Sequence, residues 1–277
     1  MELPFIQSTI LVLVGAGAGL ATSVLGIGGG IVIVPSLLAV LPLLRVPDQF
    51  TPEMALATSL AVSVVTAIMS AYSHWRLGNL KKPFAPEKLG LMVCAGAGAA
   101  FGAVSMIKAP PALAALVIVA AQCFLCWSML RRGHRKAKRA PVEPGASPDF
   151  NARALGPRLY FSVVGLLTAI GAGGSLIVPY LSVKGVEHRE AVGLAGWLGL
   201  LIGLSALVVY ATKPVAGVAW TLGAVHLPAA LLVAMGSVLG VRHGAVLASR
   251  VNQDLLRKAL ALFLIASSGR ILFHLAT

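Results

Sequence analysis

Two glycine clusters are the places where this chain could recognise a ligand. Gly28-Gly29-Gly30-Ile31-Val32-Ile33-Val34-Pro35 returns at an offset of 144 as Ala172-Gly173-Gly174-Ser175-Leu176-Ile177-Val178-Pro179. Glycine in succession disfavours continuous helix, so each cluster is expected to break one and the apolar residues after it to restart one. A restarted helix offers unpaired backbone N–H groups and the positive end of its dipole. Two such ends facing each other would form an anion site. Glycine also permits close helix packing in membranes. That is the role expected of Gly15, Gly17, Gly19, Gly96, Gly98 and Gly102, whereas a triplet exceeds what packing requires.

Neutral hydroxyls are the other donors at depth. Thr22, Ser23, Ser36, Thr58, Ser59, Ser63, Thr66, Ser70, Thr168, Ser175 and Ser205 lie in apolar runs, and most such side chains bond their own helix backbone. Thr58-Ser59 stands out as an adjacent pair about one turn into a helix. None of the nine Asp and Glu residues lies mid-span. A cation carrier usually places a carboxylate there, so a neutral or anionic substrate is favoured. Glu53 and Glu190 stand at helix entrances and are read as dipole partners rather than proton carriers. His226, inside an apolar run, is expected to make a helix–helix hydrogen bond. Cys94, Cys123 and Cys126 form neither a disulfide framework nor a metal set, so no metal or cofactor is expected. With no HExxH, phosphate loop or nucleophile–base pair, the chain does not read as an enzyme.

The elements that must position these groups follow from charge. Of 277 residues, 58% are hydrophobic and only 11% charged, too few charges to cover a soluble domain. Uncharged stretches run 5–44, 54–75, 89–107, 109–130, 159–183, 191–212 and 214–241. Crossing a hydrocarbon core takes about 20 apolar residues, so the chain reads as an all-α polytopic membrane protein. The net charge of +13 is concentrated between 131 and 158, which hold eight basic residues against Glu143 and Asp149. We read this as a cytoplasmic linker obeying the positive-inside rule, open to anionic lipid headgroups. It lacks the interleaved aromatics that nucleic acid would need. The N-terminus has no basic n-region and its apolar run exceeds signal length, so it is expected to be retained.

The linker, 131–157, separates an N-terminal membrane repeat, 1–130, from a C-terminal one, 158–277. Besides the glycine clusters, Gly98 and Gly102 recur as Gly236 and Gly240 at an offset of 138. Each half is expected to hold one long Gly-broken segment and three ordinary spans: 7–44, 54–75, 89–107 and 111–130, then 158–183, 190–211, 216–240 and 255–275. If all eight cross the membrane, lysine and arginine divide 14 inside to 8 outside. If each broken segment is a re-entrant V, only Arg45, Lys108, Lys213 and Arg270 stay outside and 18 lie inside. The second split fits the positive-inside rule far better. It makes the halves an inverted repeat with both termini outside. The shorter 158–183 segment fits a V less well than the first, and a kinked full span is its alternative.

These residues resemble the sulfite exporter TauE/SafE family of membrane permeases. Leu25-Gly26-Ile27-Gly28-Gly29-Gly30 with Val34-Pro35 looks like its N-terminal signature, and Ala55-Leu56-Ala57-Thr58-Ser59-Leu60 resembles its Ala-x-x-Thr-Ser element. The second half repeats both, as Gly173-Gly174-Ser175 to Pro179 and as Ala191-Val192-Gly193-Leu194-Ala195. Gly236–Arg257 is family-like as well. Where the family's second half usually carries Thr-Ser, this chain has Leu194-Ala195 and then Gly196-Trp197; if those hydroxyls contact substrate, one half of a symmetric site has lost its donors. The resemblance implies transport of sulfur-containing anions such as sulfite, sulfonates or thiosulfate across the cytoplasmic membrane. The candidate substrate contacts are Gly28, Gly29, Gly30, Thr58, Ser59, Gly173, Gly174, Ser175 and Trp197. A secondary transporter is the first reading; an anion channel, or a scaffold recruiting partners through the linker, are its alternatives. Expected partners are a small anion, membrane lipids and, as an option, further copies of the chain in a homo-oligomer.

Overall fold

The computed structural model describes residues 5–25, 29–76, 86–134, 154–171, 173–186, 188–247 and 253–276. They form ten α-helices: α1 (Phe5–Leu25), α2 (Gly30–Val40), α3 (Thr51–Arg76), α4 (Pro86–Lys108), α5 (Pro111–His134), α6 (Leu155–Ala169), α7 (Ile177–Val183), α8 (His188–Ala211), α9 (Leu227–Leu247) and α10 (Gln253–Ala276). Proline sits in the first turn of α3, α4, α5 and α9, where its fixed φ favours the helix and its missing N–H costs nothing. Among the described residues, Phe5–Thr22, Thr51–Met69, Leu89–Lys108 and Glu190–Ala211 are long and apolar enough to cross a membrane. Phe5, Phe101, Trp127, Val208, Leu231, Leu262 and Phe273 stand exposed around the bundle, the pattern of a surface solvated by lipid rather than water.

The long N-terminal apolar run is two helices folded into a V. The side-chain amide of Gln7, near the start of α1, donates to the carbonyl of Leu43 beyond the end of α2, at 2.9 Å. The chain therefore goes in along α1 for roughly 22 Å from Gln7 to Thr22, at 1.5 Å per residue, and comes back. The second broken segment folds the same way despite its shorter length. Tyr160 on α6 donates its hydroxyl to Leu176 at 3.0 Å and stacks on Tyr180 of α7 with ring centroids 3.9 Å apart. The kinked full span is thus replaced by a return, which Gly171 permits by taking φ +90°.

Two seams of small residues hold the V arms to distant helices. Gly15 and Gly19 of α1 lie against Val233 and Ser237 of α9, and Gly236 and Gly240 lie against Val12 and Ala16; a Cβ at any of the four would run into a backbone carbonyl. Gly98 of α4 faces Ser162 of α6 and Gly165 faces Ala95 in the same manner, with Gly102 against Leu166 and Ala169. These are Gly-x-x-x-Gly crossings, where the absence of Cβ lets backbones touch. Gly96 packs on Ser205 of α8. Gly17 departs from expectation: it faces open space.

At the centre α3 and α8 cross antiparallel, Gly203 against Val64 and Leu60 and Gly199 against Ala67. Helices α5 and α10 also pair antiparallel, Cys126 opposite Ala261 and Gln122 opposite Ser268. The expected span over 216–240 is corrected at its start. Gly217, Trp220 and Gly223 all take positive φ, so no helix forms until Leu227. Thr221–Leu222 and Val225–His226 instead make a short antiparallel ribbon.

Candidate functional site

The first break presents the N-terminus of α2. The carbonyl of Gly29 accepts from Val32 at 3.0 Å and Ile33 at 3.1 Å, which leaves the N–H groups of Gly30 and Ile31 without an intrahelical acceptor. Gly30 lies beside Ser59 of α3, whose hydroxyl would be 3.6 Å from an added Cβ. Gly28 lies outside the described residues. The second break differs in kind: Gly174–Leu176 forms a 3-10 turn before α7, which is only seven residues long. Gly173 is fitted against Val164 and the Thr168 side chain, with no room for Cβ. Ser175 is buried, and its hydroxyl has no hydrogen-bond partner.

The two breaks come together through Gly171. A Cβ there would fall 3.3 Å from Val34 and 3.6 Å from Leu56. Gly30, Ile31, Val34 and Pro35 of α2 line a cavity with Ile170 and Gly171, closed on the third side by Ile118, Ala121, Gln122 and Leu125 of α5. Among the described residues no charged side chain lines it. The positive end of the α2 dipole is then the main fixed field at this place.

The structure gathers some of the candidates and separates others. Gly29, Gly30 and Ser59 cluster at the first break. Gly173, Gly174 and Ser175 belong to the second, but the residues that reach the cavity from that side are Ile170 and Gly171. Thr58 faces elsewhere: its Oγ1 accepts the backbone N–H of His226 at 3.1 Å. His226 in turn caps α9, its Nδ1 accepting from Ala229 at 3.2 Å, a role other than the helix–helix hydrogen bond expected of it. Trp197 is half-buried on α8 and packs on the central apolar cluster, away from the cavity lining. Thr22, Ser36 and Thr168 bond their own helices, to Ala18, Val32 and Val164. The side chains of Ser23 and Ser70 are outside the description. Cys123 is exposed on the perimeter and Cys126 buried, and among the described residues no three acidic, His or Cys side chains cluster to hold a metal.

Two features escaped the reading of the sequence. Glu53 is not only a helix-end charge: it is buried and ion-paired to Lys213. Gln122 is the single carboxamide in the uncharged stretch 109–130, a polar group at depth like the hydroxyls.

The chain matches the family model described as Sulfite exporter TauE/SafE over residues 11–271. It is 30% identical over 264 residues to a probable membrane transporter protein of Haemophilus influenzae, covering 92% of this chain and 94% of that one. A probable membrane transporter protein of Methanocaldococcus jannaschii is 24% identical, covering 94% and 92%. One of Bacillus subtilis is 37% identical over 89 residues, about a third of each chain. No solved structure matches. Family and relatives are described as membrane transporters, not as enzymes.

Proposed function

We propose, on the premise that the chain belongs to the sulfite exporter TauE/SafE family of membrane transporters, that it is a secondary transporter of small anions, sulfur oxyanions and organosulfonates such as sulfite first among them. The observation that carries this reading is the uncharged cavity where the N-terminus of α2 meets Ile170 and Gly171. Backbone donors there suit an anion that no carboxylate repels. The chain has no nucleotide-binding motif to drive a pump, so a gradient supplies the energy. The step from anion to sulfur oxyanion rests on the family's description.

We also read the bundle as an inverted repeat of 1–130 and 158–277, joined by the cytoplasmic linker 131–157 in the inner membrane. The pattern of packing supports it. Helix α1 runs beside α9 as α6 runs beside α4, α3 packs on α9 as α8 packs on α4, and α3 meets α8 as α5 meets α10. Each statement survives exchanging the halves. The α1–α2 V starts at the face that carries Glu53 and Lys213. The α6–α7 V starts at the other, since α6 runs parallel to α4, whose far end, Ile107, touches Lys213. Such opposed, broken segments are how many carriers build a midplane site.

The test is counterflow in proteoliposomes. A carrier exchanges labelled sulfite across the bilayer faster than it moves it in net flux. Ohmic single-channel currents would replace the carrier with a channel.

A further inference from the structure

We propose that Gln122 is a binding residue of this cavity, one whose amide N–H groups donate to an oxygen of the transported anion; the proposal rests on the anion-carrier reading above. Gln122 lies midway along α5, is 4% exposed, and lines the cavity opposite Gly30 and Gly171. The two ends of its carboxamide have different fates. Ser268 of α10 donates its hydroxyl to Oε1 at 2.8 Å. Nε2 is buried without a hydrogen-bond partner.

In this arrangement the serine occupies the accepting end of the amide, and the end with spare capacity is the one that donates. Buried donors are nearly always satisfied, because leaving one unpaired weakens the fold. An apolar side chain of the same length would pack here without that penalty. What the amide adds is two neutral donors across the cavity from the first-turn N–H groups of Gly30 and Ile31. The matching ligand group is a pure acceptor, an oxyanion oxygen, and a cation finds nothing to coordinate it. In this conformation the cavity has room for about one water-sized group. It therefore takes a single oxygen, and a whole anion enters as α2 and α5 part.

The experiment uses full-length protein in detergent and in liposomes, with sodium sulfite as the probe and sodium chloride as the control. Gln122→Met keeps the length and removes the donors. Without sulfite its melting temperature is expected to equal or exceed that of the wild type, while the sulfite-induced rise disappears and binding weakens at least tenfold. Gln122→Glu retains an acceptor for Ser268 but has no N–H to offer, and loses sulfite to the same degree. Ser268 is a positioning residue. Ser268→Ala is expected to raise KM severalfold with little change in kcat, and Ser268→Thr to restore it. Sulfite binding by Gln122→Met within twofold of the wild type would overturn the proposal and leave the carrier reading intact. So would a ligand-free Gln122→Met protein less stable than the wild type, since the side chain would then serve packing. A wild type that binds none of sulfite, sulfate and taurine would overturn both readings.

Discussion

Lys213 and Glu53, 160 residues apart, meet as an ion pair in which the lysine also donates to the carbonyl of Ile107 at 3.2 Å. The pair ties the first turn of α3 to the turn two residues beyond α8 and to the end of α4. Glu53 is 3% exposed, and its second oxygen has no partner, so the lysine is what makes burial of that carboxylate tolerable. Breaking a buried pair from one side typically costs about 3–5 kcal/mol. Lys213→Ala is expected to lower stability by about that amount, and Glu53→Gln with Lys213→Met to recover most of it. Thermal unfolding of the two purified variants checks this; equal losses would mean the pair is idle.

The seams make a second prediction. Gly236→Val puts side-chain atoms into the carbonyl of Val12, and Gly98→Val into that of Ser162, so neither crossing can close. Gly17→Val projects from α1 into open space, away from the seam. Size-exclusion profiles of fluorescent fusions should show the first two as aggregated or absent and Gly17→Val as monodisperse.

Thr58 and Gly30 are expected to separate stability from binding. Thr58→Ala strands the buried N–H of His226, which costs about 1–3 kcal/mol, and leaves sulfite affinity nearly unchanged because Thr58 does not line the cavity. Gly30→Val crowds the cavity beside Ser59 and is expected to fold yet lose sulfite. Calorimetry and thermal shift on the same preparations read both quantities.

Topology gives the fourth prediction. Glu53, Ile107 and Lys213 touch, so the turns that contain them share one membrane face. Eight simple crossings would put Lys213 on the face opposite the other two; two Vs put all three together. An alkaline-phosphatase fusion after Thr277 should be active and a fluorescent one dark, and the reverse result would mean the termini lie inside.

Much of this arrangement was legible from residue types. Runs of uncharged residues locate the spans, and the distribution of arginine and lysine favours a return path. The packing role of Gly15, Gly19, Gly98 and Gly102 was expected of glycine in apolar helices, and Gly236 and Gly240 were visible as the recurrence of Gly98 and Gly102. What the chain concealed was backbone conformation and partnership. Nothing in Pro214–Val241 as a string of uncharged residues shows that Gly217, Trp220 and Gly223 take positive φ and delay α9 to Leu227. Thr58 and Ser59 are neighbours in sequence, yet a helix turns them about 100° apart, so one meets a ribbon and the other a glycine. Lys213 looked like one exposed charge among many, because the acid that holds it lies half the chain away.

The small-residue seam between α1 and α9 also sets an order of assembly. Gly19 lies against Ser237, so α1 cannot complete its contacts until more than two hundred further residues have been made. At about 5–20 residues per second this is a wait on the order of 10–40 s. Through that interval α1 resides in the bilayer with its glycine stripe bare. A chain that stalls before Leu227 keeps the stripe uncovered permanently, which distinguishes it from a finished molecule. Biogenesis of this transporter therefore depends on a late helix closing over a much earlier one.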